Sequence, residues 1–205
     1  NPVEKNIIPA TWWEAGAMYS ANSDNGFSYD IAIHSGLNSA TGSVRDGRQK
    51  VAKAEAESLA YTARVKYTGT PGLEVAGTLQ YQDDMSQGTA ADAISATLVE
   101  AHAKYTSGAI AVTALYASWD VDINTDAKTQ TGSILEASYK LNSKWGVFAR
   151  RNNWTNNDGV KDKAQTDIGF NYWPHEDVVF KADYQMQNKD ADDFDGVNLG
   201  VGYRF

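Results

Sequence analysis

The chain has 205 residues, no cysteine, 42% hydrophobic residues and a formal net charge of −8. Without cysteine there are no disulfide frameworks and no thiolate metal sites, and the acidic balance argues against nucleic-acid binding. No apolar run approaches the roughly 18 residues of a membrane helix, which excludes a helical membrane protein but not a barrel, because barrel strands hide their hydrophobicity by alternation.

Residues that alternate between apolar and polar predict eleven β-strands along the chain. The first begins at 11, and Asn25-Gly26 is a strong signal for the hairpin turn that follows it. The strand at 109–119 is apolar in both phases, so alternation does not decide which of its faces is which. Arg151 is predicted to lie near a membrane edge. The predicted ranges are 11–21, 27–35, 59–67, 73–82, 99–105, 109–119, 135–141, 145–154, 167–172, 178–187 and 196–205.

The connections between these strands alternate strictly between short turns and longer polar loops. A transmembrane barrel needs this rhythm, because its two sides face different compartments. Many apolar faces also carry Tyr or Trp near their ends, which is typical of the aromatic belts at a membrane interface. The alternative is a soluble β-sandwich with these aromatic residues in its core.

The closing strand, GVNLGVGYRF at 196–205, resembles the last strand of Gram-negative outer-membrane β-barrels, in which a terminal aromatic residue is part of the assembly signal. Phe205 holds that position here. Together with TGTPGLEVAGTLQYQDD at 68–84 and FNYWPHEDVVFKADYQMQ at 170–187, it resembles the C-terminal strands of the phosphate-selective porin O and P group. The resemblance implies a porin of the bacterial outer membrane that passes ions and small hydrophilic solutes by passive diffusion. Outer-membrane lipid and a homotrimeric assembly are the partners it implies.

Eleven strands are an odd number, whereas a single-chain bacterial barrel has an even number with both ends in the periplasm. We therefore expect an all-β, antiparallel transmembrane β-barrel of about 16 or 18 strands, the usual porin sizes. Residues 1–205 would form the C-terminal portion of that one domain, and the N-terminal strands would lie upstream or on another chain.

The polar phases of the strands predict the channel wall, with Glu100 and His102 on one strand. Seven basic and seven acidic residues fall on it, and such a balanced wall does not predict the basic ladder of a phosphate filter. The basic residues are Arg64, Lys66, Lys104, Lys140, Arg150, Lys181 and Arg204, and the acidic ones are Glu14, Asp30, Glu74, Glu100, Glu136, Asp167 and Asp183.

The longest loop, at 36–58, is the strongest candidate for a constriction, because a long porin loop often folds into the barrel. A solvated surface loop is the alternative. Its basic residues are Arg45, Arg48, Lys50 and Lys53, and a short helical turn is predicted over 49–57. If the loop enters the channel, this small basic excess predicts a weak anion preference.

Other chemistry has little support in the sequence. The three histidines have no GxSxG serine beside them, so we predict no enzyme, and no cofactor motif is present. The acidic run at 190–195 could hold Ca²⁺, but it lacks the downstream bidentate Glu of an EF-hand, and a solvated acidic loop is the favoured interpretation. A non-conducting barrel with a structural or surface-binding role is the alternative function.

Overall fold

A computed structural model describes residues 1–8, 12–125, 128–155, 163–188 and 195–204. Its strands form one antiparallel sheet in which each strand pairs with its neighbours in chain order. The strands are β1 (Gly16–Asn22), β2 (Phe27–His34), β3 (Ala60–Tyr67), β4 (Leu73–Gln82), β5 (Ala96–Ser107), β6 (Ile110–Val121), β7 (Thr129–Lys140), β8 (Trp145–Trp154), β9 (Lys163–His175), β10 (Val178–Gln187) and β11 (Gly196–Tyr203). A short helix, α1 (Pro2–Asn6), and a 3₁₀ turn, Val51–Lys53, complete the described elements.

The eleven antiparallel strands and the alternation of short and long connections confirm the pattern predicted from the sequence. Several boundaries differ, since β5, β7 and β9 begin three, six and four residues before their predicted starts. The strand predicted from residue 11 begins only at Gly16, because Trp12 packs edge-on against His34 and Trp13 forms an isolated parallel bridge with Lys50. The turn predicted over 173–177 is shorter, since β9 continues to His175.

One face of the sheet, which we call the outer face, is apolar and exposed. Ile31 is 62% exposed, Leu135 58% and Leu199 81%, and none of these residues is covered by another element. In register Ile31 lies opposite Ala63, Ala63 opposite Leu79 and Leu79 opposite Val99, so apolar residues continue from strand to strand. A surface of this kind suits hydrocarbon and not water.

The opposite face, which we call the inner face, is polar along most of its length but apolar at the end where the long loops leave the strands. There α1 and the loop between β2 and β3 fold onto the sheet and bury Val3, Ile7 and Leu37. The indole Nε1 of Trp119 donates a 2.8 Å hydrogen bond to the carbonyl oxygen of Ile7. The inner face of β6 is therefore apolar because it forms part of a hydrophobic core.

This core explains the strand that alternation alone could not orient. On β6, Tyr116 is exposed on the outer face, whereas Ala117, Trp119 and Val121 are buried on the inner face. On β7, Gly132 leaves room for α1, because a Cβ added there would lie 2.6 Å from Cγ1 of Val3. The side chains on one side of β6 thus lie on the outer face, and those on the other side pack against α1 and the loop between β2 and β3.

No helix in the described part of the chain is long and apolar enough to cross a membrane. Within the same residues, β1 pairs only with β2, and β11 pairs only with β10. The sheet therefore has two free edges.

Candidate functional site

A band of ion pairs crosses the middle of the inner face. Arg150 donates from Nε to Asp167 Oδ2 over 3.1 Å and from Nη1 to Glu136 Oε2 over 3.3 Å. The carboxylate of Asp167 is 1% exposed and also accepts hydrogen bonds from Gln165 and Asn152. Buried carboxylates are stable only when paired and hydrogen-bonded in this way, and register brings these residues together on β7, β8 and β9.

A second part of this band lies on β4 and β5. The ring of His102 bridges two carboxylates, with Nδ1 2.7 Å from Glu100 Oε1 and Nε2 3.3 Å from Glu74 Oε1. Lys104 Nζ lies 3.2 Å from the same Glu74 oxygen. Every charged group named here has a partner of opposite sign or a hydrogen bond.

On β2 and β3 the pattern continues with Arg64, whose Nη2 lies 2.6 Å from Asp30 Oδ2. Ser20 of β1 donates to the other oxygen of Asp30 over 2.6 Å. Lys66 lies on the same face, opposite Ser28 and Ala76 in register. The structure thus places six of the predicted wall residues on one face of the sheet: Arg64, Lys66, Glu100, His102, Lys104 and Arg150.

The loop between β2 and β3 lies on the inner face rather than in solvent. Leu37 and Val44 are fully buried in the hydrophobic core. The side-chain amide of Gln82 accepts from the backbone N–H of Leu37 over 2.8 Å and donates to its carbonyl oxygen over 2.9 Å. On β7, Gln130 donates to the carbonyl oxygen of Gly42 over 2.8 Å. The loop therefore spans the inner face from β4 to β7.

Three of the four predicted basic loop residues lie together. Arg45, Arg48 and Lys50 line a cavity of about 360 Å³ with Trp13, Asp46 and Gln49. Arg45 donates to the side-chain oxygen of Asn6 over 3.3 Å, and Lys50 Nζ lies 5.5 Å from the centre of the Trp13 ring. Lys53 is exposed on the 3₁₀ turn and does not line this cavity.

The helical turn predicted over 49–57 is wrong in extent, since only Val51–Lys53 form a 3₁₀ turn. The reason is the side chain of Gln49, which accepts from the backbone N–H of Glu55 and donates to its carbonyl oxygen, both over 2.9 Å. A side chain that satisfies backbone groups in this way competes with helical hydrogen bonds.

The residues that fix the loop were missed from the sequence. Gln82, Gln87 and Gln130 are buried and bond to loop carbonyls, yet each reads as an ordinary polar strand or loop residue. The available signal was that the sequence of β6 is apolar on both faces, because such a strand needs a covering element on each side. This signal points to Trp119 but not to the three glutamines.

Each histidine contacts a carboxylate. His34 pairs with Glu14 and lies 2.8 Å from the hydroxyl of Thr62, and His175 lies 3.5 Å from Asp177 in the exposed turn between β9 and β10. Of the acidic run at 190–195, only Asp195 is among the described residues, where it accepts from the backbone N–H of Gln187. The other acidic residues of this run and Phe205 lie outside the described residues.

Three solved structures resemble the chain over more than nine-tenths of its length. The anion-selective porin from Comamonas acidovorans has 14% identity and a TM-score of 0.66, and it covers 92% of this chain. OmpF of Salmonella typhi, in complex with daunomycin, has 16% identity, a TM-score of 0.66 and the same coverage. A further porin has 15% identity, a TM-score of 0.63 and covers 93% of this chain.

The chain has the porin fold. It spans 58–61% of the length of these porins. No family model and no curated protein matches the sequence. In this fold the apolar outer face corresponds to the outside of the barrel and the inner face to its interior.

Proposed function

We propose that the chain is the C-terminal portion of a bacterial outer-membrane porin whose inner face lines a water-filled channel for ions and small hydrophilic solutes. The observation that carries the proposal is the opposite character of the two faces. Exposed apolar residues such as Leu135 cover the outer face, while Arg150 and Asp167 on the same hairpin region pair on the inner face. In a barrel, the first surface contacts lipid and the second contacts water.

The two free edges support the proposal that further strands close the barrel. In lipid each unsatisfied backbone group costs several kcal/mol, so β1 and β11 need partners. We propose a barrel of about 16 or 18 strands, with residues 1–205 as its C-terminal portion. A homotrimer is the assembly that we infer from the likeness to porins.

The loop at 36–58 supports a constriction role. Its position across the inner face from β4 to β7 brings Arg45, Arg48 and Lys50 over the wall, and the wall charges are largely paired. We therefore propose a weak anion preference set by this loop. Membership of the phosphate-selective porin O and P group stays a prediction.

Reconstitution of the full-length parent protein into planar bilayers tests the channel. We expect stepwise conductance in symmetric salt, with steps that persist when the membrane potential is reversed. A preparation that inserts but shows no steps would instead support the second candidate, a non-conducting barrel. The observation that favours this candidate is the hydrophobic core of Leu37, Val44 and Trp119 on the inner face, which occupies part of the same space.

A further inference from the structure

Arg151 differs from the strand arginines whose ion pairs are described above. Arg64 and Arg150 point to the inner face and contact carboxylates. Arg151 lies next to Arg150 on β8 and therefore points to the outer face. There it donates from Nη1 to the hydroxyl of Thr166 over 2.8 Å and from Nε to the side-chain oxygen of Asn153 over 3.2 Å.

These two contacts position the guanidinium without neutralising it. Thr166 and Asn153 are uncharged, and no carboxylate of the described residues lies within ion-pair distance of Arg151. A guanidinium has five N–H donors, so three remain for another partner. An outward-facing cation held in this way is costly in hydrocarbon unless an anionic group meets it.

The height of Arg151 on the barrel places it among lipid headgroups. In register, Arg151 lies between Leu135 of β7 and Thr166 of β9. Toward the short turns the outer face continues with Ala137 and Ile168, and toward the long loops it continues with Ser133 and Asn153. Arg151 therefore marks the border between the apolar and polar parts of this face. It lies three residues before the end of β8, about 10 Å along the strand.

A cavity of about 430 Å³ opens at the same border. Its lining includes Tyr116, Ser133, Arg151, Asn153, Thr155 and Lys163. Hydroxyl, amide and cationic groups together are suited to a phosphate group, and arginine binds phosphate through paired hydrogen bonds. The exposed ring of Tyr116 adds the amphipathic surface that is usual at a membrane interface.

We propose that this outer-face cavity binds the phosphorylated headgroup of a lipid in the leaflet on the long-loop side, with Arg151 as the principal phosphate ligand. In outer-membrane barrels the longer loops lie on the extracellular side, so the lipid is one of the outer leaflet. The inference rests on the membrane orientation in the proposed function but not on conduction.

The test uses the full-length protein in nanodiscs of phosphatidylcholine doped with lipid A, with bound lipid A counted by native mass spectrometry. Arg151→Gln should lower lipid A occupancy so that the apparent affinity falls at least about tenfold, the loss expected for a charge-assisted hydrogen-bond pair. Arg151→Lys should lose less affinity for lipid A, because lysine keeps the positive charge but cannot form the paired hydrogen bonds of a guanidinium. The matched control is Lys144→Gln, which removes one positive charge from the turn at the opposite end of β8 and should leave binding unchanged.

Two further arms identify the ligand. Dephosphorylated lipid A should bind the wild-type protein as weakly as lipid A binds Arg151→Gln. Excess inorganic phosphate should not displace lipid A. Full displacement would show a free-anion site, and equal binding by wild type and Arg151→Gln would show no headgroup site; either result overturns the proposal. Conductance of the wild-type protein, measured separately, decides the channel function and is independent of these outcomes.

Discussion

The loop end and the middle of the inner face are built from the same strands but are stabilised differently. At the loop end, Trp119 and Ile134 pack against α1 and the folded loop, and the wall is apolar. In the middle, Arg150 and Asp167 form a paired polar wall in which Gln165 and Asn152 hold the buried carboxylate of Asp167. The difference shows that the same strands are stabilised by apolar packing at one end and by paired polar groups in the middle. The experiments below weaken one region at a time.

The largest effect is expected for Trp119→Ala at the loop end. Truncation of a buried tryptophan typically costs about 3–5 kcal/mol, and here the bond to the carbonyl of Ile7 is also lost. Backbone amides of α1 and of the loop at 36–58 should exchange hydrogen much faster, while those at the middle of β8 should not. Tyr116→Ala, on the outer face of the same strand, is the control, and equal loosening of the loop in that variant would argue against the core.

A smaller effect is expected for Asp167→Asn in the middle region. The change removes the charge that pairs with Arg150 but keeps an acceptor for Gln165 and Asn152, so we expect a loss of about 1–3 kcal/mol in the free energy of unfolding. The wall also gains one net positive charge, and the reversal potential in a salt gradient should move toward anion preference. Asp183→Asn makes the same charge change at a partly exposed position and should cost less stability. If both variants lose the same free energy of unfolding, burial of the pair between Asp167 and Arg150 does not make it more stabilising than an exposed contact.

The loop between β4 and β5 allows a pH test at the loop end. Burial raises the pKa of Asp84, but hydrogen bonds from Ser86 and from the backbone N–H groups of Ile94, Gly88 and Ser86 outweigh it, so the pKa is lowered from 3.8. A lowered pKa means that the ionised form stabilises the fold. This contribution, about 1 kcal/mol for such hydrogen bonds, is present above pH 3.8 and is lost as the pH falls through the lowered pKa.

Hydrogen exchange at 85–94, measured between neutral and strongly acidic pH, checks this. Protection of the wild-type loop should fall in acid, and Asp84→Asn should be less protected at neutral pH with little further change in acid. The short turn at 108–109 between β5 and β6 contains no carboxylate and serves as the internal control. A wild-type loop whose protection does not change with pH would contradict the assigned role of Asp84.

The smallest effect concerns the charges on the folded loop. Replacement of Arg45, Arg48 and Lys50 by Gln should move the reversal potential toward cation preference. Conductance should change more at low salt than at high, because charges beyond roughly 10 Å are screened at 0.1 M. Lys53→Gln, outside the cavity, should shift the potential less than any one of the three. If the triple variant leaves both quantities unchanged, the loop does not border the ion path.

The sequence predicted the part of the site that depends on the alternation of residues along the strands. Arg64, Glu100, His102 and Arg150 were assigned to one face because alternation fixes the side of every second residue once one face is known to be apolar. The ion-pair partners of these residues were harder to predict, because alternation identifies the face on which a residue lies but not the residue that lies opposite it. Only register shows that Asp167 lies opposite Arg150 or that Glu74 lies opposite Lys104.

The sequence by itself determined the eleven strands, their antiparallel order, the apolar outer face and the balance of charge on the inner face. These features depend on a two-residue period and on turn residues such as Asn25-Gly26, both of which are local. Only the tertiary structure decided that the loop at 36–58 lies on the sheet, that β6 buries Trp119, and that Arg151 meets no carboxylate among the residues that the structure describes. Each of these depends on contacts between residues far apart in the chain. Such contacts arise from how the loops fill the space beside the sheet, and no local period encodes them.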